Sequence, residues 1–170
     1  MQEMFTWCQK LNLLNLTNFN TSEVTNMKDM FSYCEKLNEL DLTNFNTSKV
    51  INMEQMFYNI KILKRIKGIE NFNTCKVNNM SGMFCWCLEL EELDLSNFNT
   101  SKVTNMGAMF YVCEKLKRIK GIENFNTLEV TDMQMMFDMC RQLEELDLSN
   151  FNTSKLINMK DIFFYCNLKE

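Results

Sequence analysis

The sequence predicts an α/β solenoid, a single stack of about six to seven coils with short parallel strands on one side and short helices on the other. Three observations predict it. The tetrapeptide Asn-Phe-Asn-Thr begins at Asn18, Asn44, Asn71, Asn97, Asn124 and Asn150, in steps of 26, 27, 26, 27 and 26 residues. A phenylalanine column (Phe5, Phe31, Phe57, Phe84, Phe110, Phe137 and Phe163) keeps the same period, with Met before it in six cases and Ile162 in the last. Within each period the apolar spacing passes from three-and-four to two, the signature of a helix followed by a strand.

The helix is justified by Met27, Met30, Phe31, Cys34 and Leu37, spaced i, i+3, i+4, i+7 and i+10. Asn26 precedes it as an N-cap, and Asn52, Asn79, Asn105, Asp132 and Asn158 repeat that position. The strand follows at Leu37-x-x-Leu40-x-Leu42, where alternation signals one buried face. Phe45 then turns inward within a loop of Asn, Thr and Ser. Neither element hides its apolar face alone, whereas stacked copies do. Strands ~4.8 Å apart facing helices ~8–10 Å apart would curve the stack, with the strands on the concave side.

The period also doubles. Units with LDLTNF or LDLSNF, starting at Leu40, Leu93 and Leu146, alternate with longer units carrying IKGIENF at Ile66 and Ile119. The extra residue falls at Gly68 and Gly121, where a strand bulge is expected because glycine tolerates that backbone best. No Pro/Gly-rich linker interrupts the array, so residues 1–170 form one domain.

Composition narrows the chemistry. The chain has no His, which removes the commonest general base and metal ligand. No Gly-rich phosphate loop is present, and no carboxylate pair lies outside the ladders described below, so no catalytic, cofactor-binding or metal-binding residues are assigned and an enzyme is not expected. A net charge of -4 argues against nucleic acid as partner. No apolar run is long enough to insert in a membrane as a helix, and the first residues do not form a signal peptide.

Eight cysteines invite a disulfide or zinc reading. Six of them (Cys8, Cys34, Cys87, Cys113, Cys140 and Cys166) fall three residues after the repeat Phe, and Ile60 takes that place in the remaining unit. A position that accepts Ile is an apolar core position, where free Cys acts as a small hydrophobe. Helices ~8–10 Å apart would also exceed the ~7 Å reach of a disulfide. Cys75 replaces a loop Ser and is the candidate exposed thiol.

The outward strand positions form two columns of alternating sign. One reads Glu39, Arg65, Glu92, Arg118, Glu145, and the other Asp41, Lys67, Asp94, Lys120, Asp147. Neighbouring opposite charges on a sheet contribute ~0.2–1 kcal/mol per pair. The columns serve either as register-fixing pairs or as a contact surface, and their ten residues are the candidate site. The loop Asn columns are expected to satisfy turn backbone. Trp7, Tyr33, Trp86 and Tyr165 are expected to pack between neighbouring helices. The chain starts and stops inside a unit without a distinctive cap, which leaves a fragment, frayed end units or end-to-end stacking as alternatives.

The word LDLSNFNTSKVTNMGAMFYVCEKL, residues 93–116, and its copies resemble the BspA-like leucine-rich repeat of bacterial surface proteins. That resemblance covers essentially the whole chain. It implies a leucine-rich-repeat solenoid, taken as right-handed, on the cell surface or secreted and linked to adhesion, although this chain shows no signal peptide, lipobox or anchor. It supplies no catalytic residues. The expected function is a non-enzymatic protein-protein interaction module with a protein partner. The alternative is a structural protein that self-associates by end-to-end stacking.

Overall fold

A computed structural model describes residues 1–168. Its coils lie one above another with the repeats in register. Parallel bridges join Asn26 to Asn52, Asn52 to Asn79, Asn79 to Asn105, Asn105 to Asp132, and Asp132 to Asn158. The rings of Phe5, Phe31, Phe57, Phe84, Phe110, Phe137 and Phe163 stack through the core, with centroids 5.5–5.9 Å apart and nearly parallel planes. Met27, Met30, Phe31, Cys34 and Leu37 are all fully buried, as are most of their copies. Each large apolar side chain so buried contributes ~1.5–3 kcal/mol against the cost of ordering the chain.

The expected helices are replaced by successive turns, and the described residues contain no α-helix. The N–H groups of Met27, Asp29, Phe31 and Tyr33 donate sideways to the carbonyls of Asn52, Glu54, Met56 and Tyr58, at 2.9–3.0 Å. The intervening N–H groups of Met30, Ser32 and Cys34 bond back three residues within the coil. Asp29 and Tyr33 adopt φ of 53° and 60°, and the pattern recurs at Gln55 and Asn59 and in the other coils. Two turns in series bury the same three-and-four spacing that a helix would. A helix ~10 Å across could not have kept pace with coils joined at strand spacing. The Asn column accordingly caps turns: the Oδ1 atoms of Asn26, Asn52 and Asn79 accept from the N–H two residues on, at 2.8–2.9 Å.

This arrangement removes the cause expected for a concave sheet, because the turn side is itself hydrogen-bonded from coil to coil. It also removes the spacing argument against disulfides. The cysteines are nevertheless free thiols. Those of Cys34, Cys87, Cys113 and Cys140 donate to the carbonyls of Phe5, Phe57, Phe84 and Phe110 at 3.1–3.2 Å.

The NFNT loops carry a second inter-coil device. Thr21, Thr47, Thr74, Thr100 and Thr127 are buried. Each hydroxyl donates to the carbonyl of the second Asn in the next coil and accepts from that residue's N–H, at 2.7–3.0 Å. That Asn turns its own Oδ1 back to the N–H two residues on, as Asn46 does to Ser48 and Asn99 to Ser101. Asn44, Asn97 and Asn150 reach back by Nδ2 to the carbonyls of Thr17, Glu70 and Glu123. The polar loops thus satisfy their own backbone, as expected.

Four short strands lie on the opposite side: β1 (Glu39–Asp41), β2 (Arg65–Lys67), β3 (Glu92–Asp94) and β4 (Arg118–Lys120). They pair in parallel as β1 with β2 and β3 with β4, placing Glu39 beside Arg65, Asp41 beside Lys67, Glu92 beside Arg118 and Asp94 beside Lys120. No ladder joins β2 to β3. The extra residue of the longer coils makes a 3-10 turn directly after the strand, at Ile69–Asn71 and Ile122–Asn124, in place of the expected bulge. The first of these turns packs against β3. Gly68 and Gly121 open the two turns at φ of 87° and 88°. A Cβ on Gly68 would lie 2.5 Å from the Thr43 amide nitrogen, and one on Gly121 2.4 Å from the Ser96 Cα, so only glycine fits.

Candidate functional site on the strand side

The break between the two sheets opens a cleft of about 650 Å³. Its apolar lining is Ile66, Ile69 and Leu93, and its charged lining is Lys64, Arg65, Glu70, Glu91, Glu92, Asp94, Arg118 and Lys120. Of the ten residues expected from sequence, the cleft gathers Arg65, Glu92, Asp94, Arg118 and Lys120. Glu39, Asp41, Lys67, Glu145 and Asp147 lie outside it. Sequence reasoning missed Lys64, Glu70 and Glu91. Gly68, the mark of the longer coil, was the available signal, since the turn it starts stands at the break.

The two charged columns behave differently. In the Asp/Lys column, Asp41 binds Lys67 and Asp94 binds Lys120, each at 2.7 Å. The same carboxylates also accept from the loop that follows: Asp94 takes the N–H and hydroxyl of Ser96, and Asp41 those of Thr43. These bonds favour the ionised form. The Lys120 ammonium, then Ser96, lowers the Asp94 carboxyl to about 2, and Lys67, then Thr43, lowers Asp41 further still. Among the described residues Asp147 has Ser149 as its partner, which lowers it by the same means. Asp41 and Asp147 are exposed and Asp94 is half-buried, so solvent screens the charges of both pairs.

In the Glu/Arg column, the in-register partners Glu39 and Arg65, and Glu92 and Arg118, do not close into ion pairs within 4 Å. The side chains of Glu39, Arg65, Glu92, Arg118 and Glu145 make no hydrogen bond or ion pair among the described residues and all are exposed. The alternating ladder expected through five units is therefore realised in one column and only at two of its steps.

Elsewhere the chemistry is quiet. No group of three or more Cys, Asp or Glu could hold a metal ion among the described residues. Burial pushes the thiols of Cys34 and Cys85 up to about 12, and those of Cys87, Cys113 and Cys140 higher. Cys75, expected to be exposed, is half-buried. Trp7 stacks on Tyr33 at 3.8 Å and Trp86 meets Tyr111 edge-on, so these rings pack between coils, though between turns and not helices, whereas Tyr165 is exposed and its ring meets Phe164 of its own coil. No helix among the described residues is long and apolar enough to cross a membrane.

With seven stacked aromatic positions and in-register loops on the page, the class is a repeat solenoid. The chain belongs to the family described as "Mycoplasma protein of unknown function, DUF285", whose profile matches residues 1–85, 40–121 and 60–169. No curated protein matches the chain. Among solved structures it is similar to a leucine-rich repeat protein from Eubacterium ventriosum, at 15% identity over 82% of this chain, with a TM-score of 0.49. The match spans 40% of that protein's length.

Proposed function

We propose that the chain is a non-enzymatic protein-interaction module of the BspA-like leucine-rich-repeat kind, wound right-handed as parallel crossovers almost always are. Its partner docks on the strand side. The observation that carries this reading is the row Arg65, Glu92 and Arg118: exposed, unpaired and held at adjacent coils beside a cleft with an apolar lining. Side chains needed only for register would resemble the Asp/Lys column, whose carboxylates are already engaged. The resemblance to bacterial surface repeats adds adhesion as the setting. The test is the joint replacement of Arg65, Lys67, Arg118 and Lys120 by Ala. Loss of partner binding with a cooperative melting transition retained supports the reading, and full binding by a folded variant overturns it.

A second reading, end-to-end self-association, has its own observation. The turn-side hydrogen bonds are polar, each coil donating its N–H groups to the carbonyls of the next, from Glu3, Phe5 and Trp7 onward. A coil of a second copy could therefore add in the same sense. Sedimentation of the 170-residue chain separates the two, since a mass independent of concentration excludes assembly.

A further inference from the structure

We infer that the strand-side cleft takes an acidic peptide segment of a protein partner. This rests on the interaction reading above and adds the chemistry of what binds. The lining holds four cations, Lys64, Arg65, Arg118 and Lys120, against four anions, Glu70, Glu91, Glu92 and Asp94. Their formal charges cancel, but their engagements do not. Asp94 is bound to Lys120 at 2.7 Å, and Glu91 to Lys117, just outside the lining, at 2.7 Å. Glu70 accepts the Gly68 N–H at 3.1 Å, at the start of the 3-10 turn that stands at the break. That bond leaves the Glu70 charge in place, so beyond the two ion pairs the lining holds Lys64, Arg65 and Arg118 against Glu70 and Glu92, with Lys64 also facing Glu91.

The excess is one positive charge, and two of the three cations, Arg65 and Arg118, are guanidiniums. A guanidinium presents a planar fork that matches a carboxylate in two hydrogen bonds, and such charge-assisted pairs are the strong ones. Arg118 stands beside Glu92 across the β3–β4 ladder, and Arg65 stands on β2 at the other side of the break. Two carboxylate side chains on one segment can reach both. Ile66, Ile69 and Leu93 form the floor of the cleft but are themselves buried in the core, so the charged rim carries the recognition. A long polyanion would also meet the remainder of a chain whose net charge is -4, which a short acidic segment avoids.

The experiment is a titration of the isotope-labelled full chain, followed by amide resonances. The probes are alternating Glu-Ser, Gln-Ser and Lys-Ser octapeptides and a short single-stranded oligonucleotide. The Glu-Ser peptide is expected to move the amides of Arg65, Glu92, Leu93 and Arg118. Its affinity should fall at least about tenfold in the double variant Arg65→Gln/Arg118→Gln, the loss expected for one or two charge-assisted bonds. Lys49→Gln, a lysine already bound to Glu23 at 2.6 Å, should change it less than about twofold. If the Lys-Ser or Gln-Ser peptide or the oligonucleotide moves the cleft amides and the Glu-Ser peptide does not, the acidic segment is wrong while the docking face stands. If no probe moves them, the inference fails. The docking face is then judged separately by the four-cation variant described above.

Discussion

Thr74→Val changes one atom of the inter-coil clamp. Valine keeps the shape of threonine and replaces its hydroxyl by a methyl. Thr74 is fully buried, and its hydroxyl gives one hydrogen bond to the Asn99 carbonyl at 3.0 Å and takes one from the Asn99 N–H at 2.8 Å. Both are lost together, and the valine methyl fills the space through which water would have to replace them. Two hydrogen bonds at ~1 kcal/mol each give an expected loss of about 2 kcal/mol. For a chain of this size that is a drop in Tm of ~4–8 °C. Urea unfolding measures the loss, and hydrogen exchange localises it, because the Asn99 amide should lose protection first. Thr74→Ser, which keeps the hydroxyl, should lose only the packing of one methyl, about 1 kcal/mol. Thr153→Val is the control, since that residue is exposed and its hydroxyl makes no hydrogen bond among the described residues; it should stay within ~0.5 kcal/mol of the parent. A Val variant as stable as the Ser variant, with Asn99 exchange unchanged, would show that the clamp does not hold the coils together.

Gly68→Ala should destabilise by more than about 3 kcal/mol in chemical unfolding, because φ of 87° and a backbone contact at 2.5 Å act together. Gly82→Ala should cost under ~1 kcal/mol despite φ of 61°, because its counterpart in the next coil is Ala108 at φ 53° and its nearest neighbour is the long Gln55 side chain and not backbone. A thiol reagent in native buffer should label Cys8, Cys75 and Cys166 and spare the buried five, while denaturant exposes all eight, as intact mass will count; labelling of Cys113 at the rate of Cys8 would contradict the burial. Asp94 has its folded pKa lowered to about 2, so the pair with Lys120 stabilises above the ordinary carboxylate range and is lost as pH falls through about 2. The stability gap between parent and Asp94→Asn, under about 1 kcal/mol, should be present at pH 5 and close near pH 2.

The columns that stack were legible because a period of 26 and 27 residues places equivalent side chains above one another whatever the backbone does between them. Asp94 beside Lys120 and Glu92 beside Arg118 follow from that register alone. The cleft was half legible: its Arg and Asp members stand in the columns, but its position depends on the missing ladder between β2 and β3. The Thr clamps were not seen, since a threonine in a polar loop carries no mark of burial until the next coil closes over it.

From the chain alone came the repeat, the buried Met, Phe, Cys and Leu positions, four of the strands, the alternation of two unit lengths and the glycine that the longer unit requires; the strand expected at Leu146 is not formed. Tertiary structure alone decided that the expected helices are turns. A three-and-four apolar spacing specifies which side chains go inward, and a helix and two turns in series satisfy it equally. The choice falls to the backbone N–H groups, which bond within the coil in a helix and reach the neighbouring coil in a turn. Only when a second coil lies at strand distance do Met27, Asp29, Phe31 and Tyr33 have carbonyls to donate to.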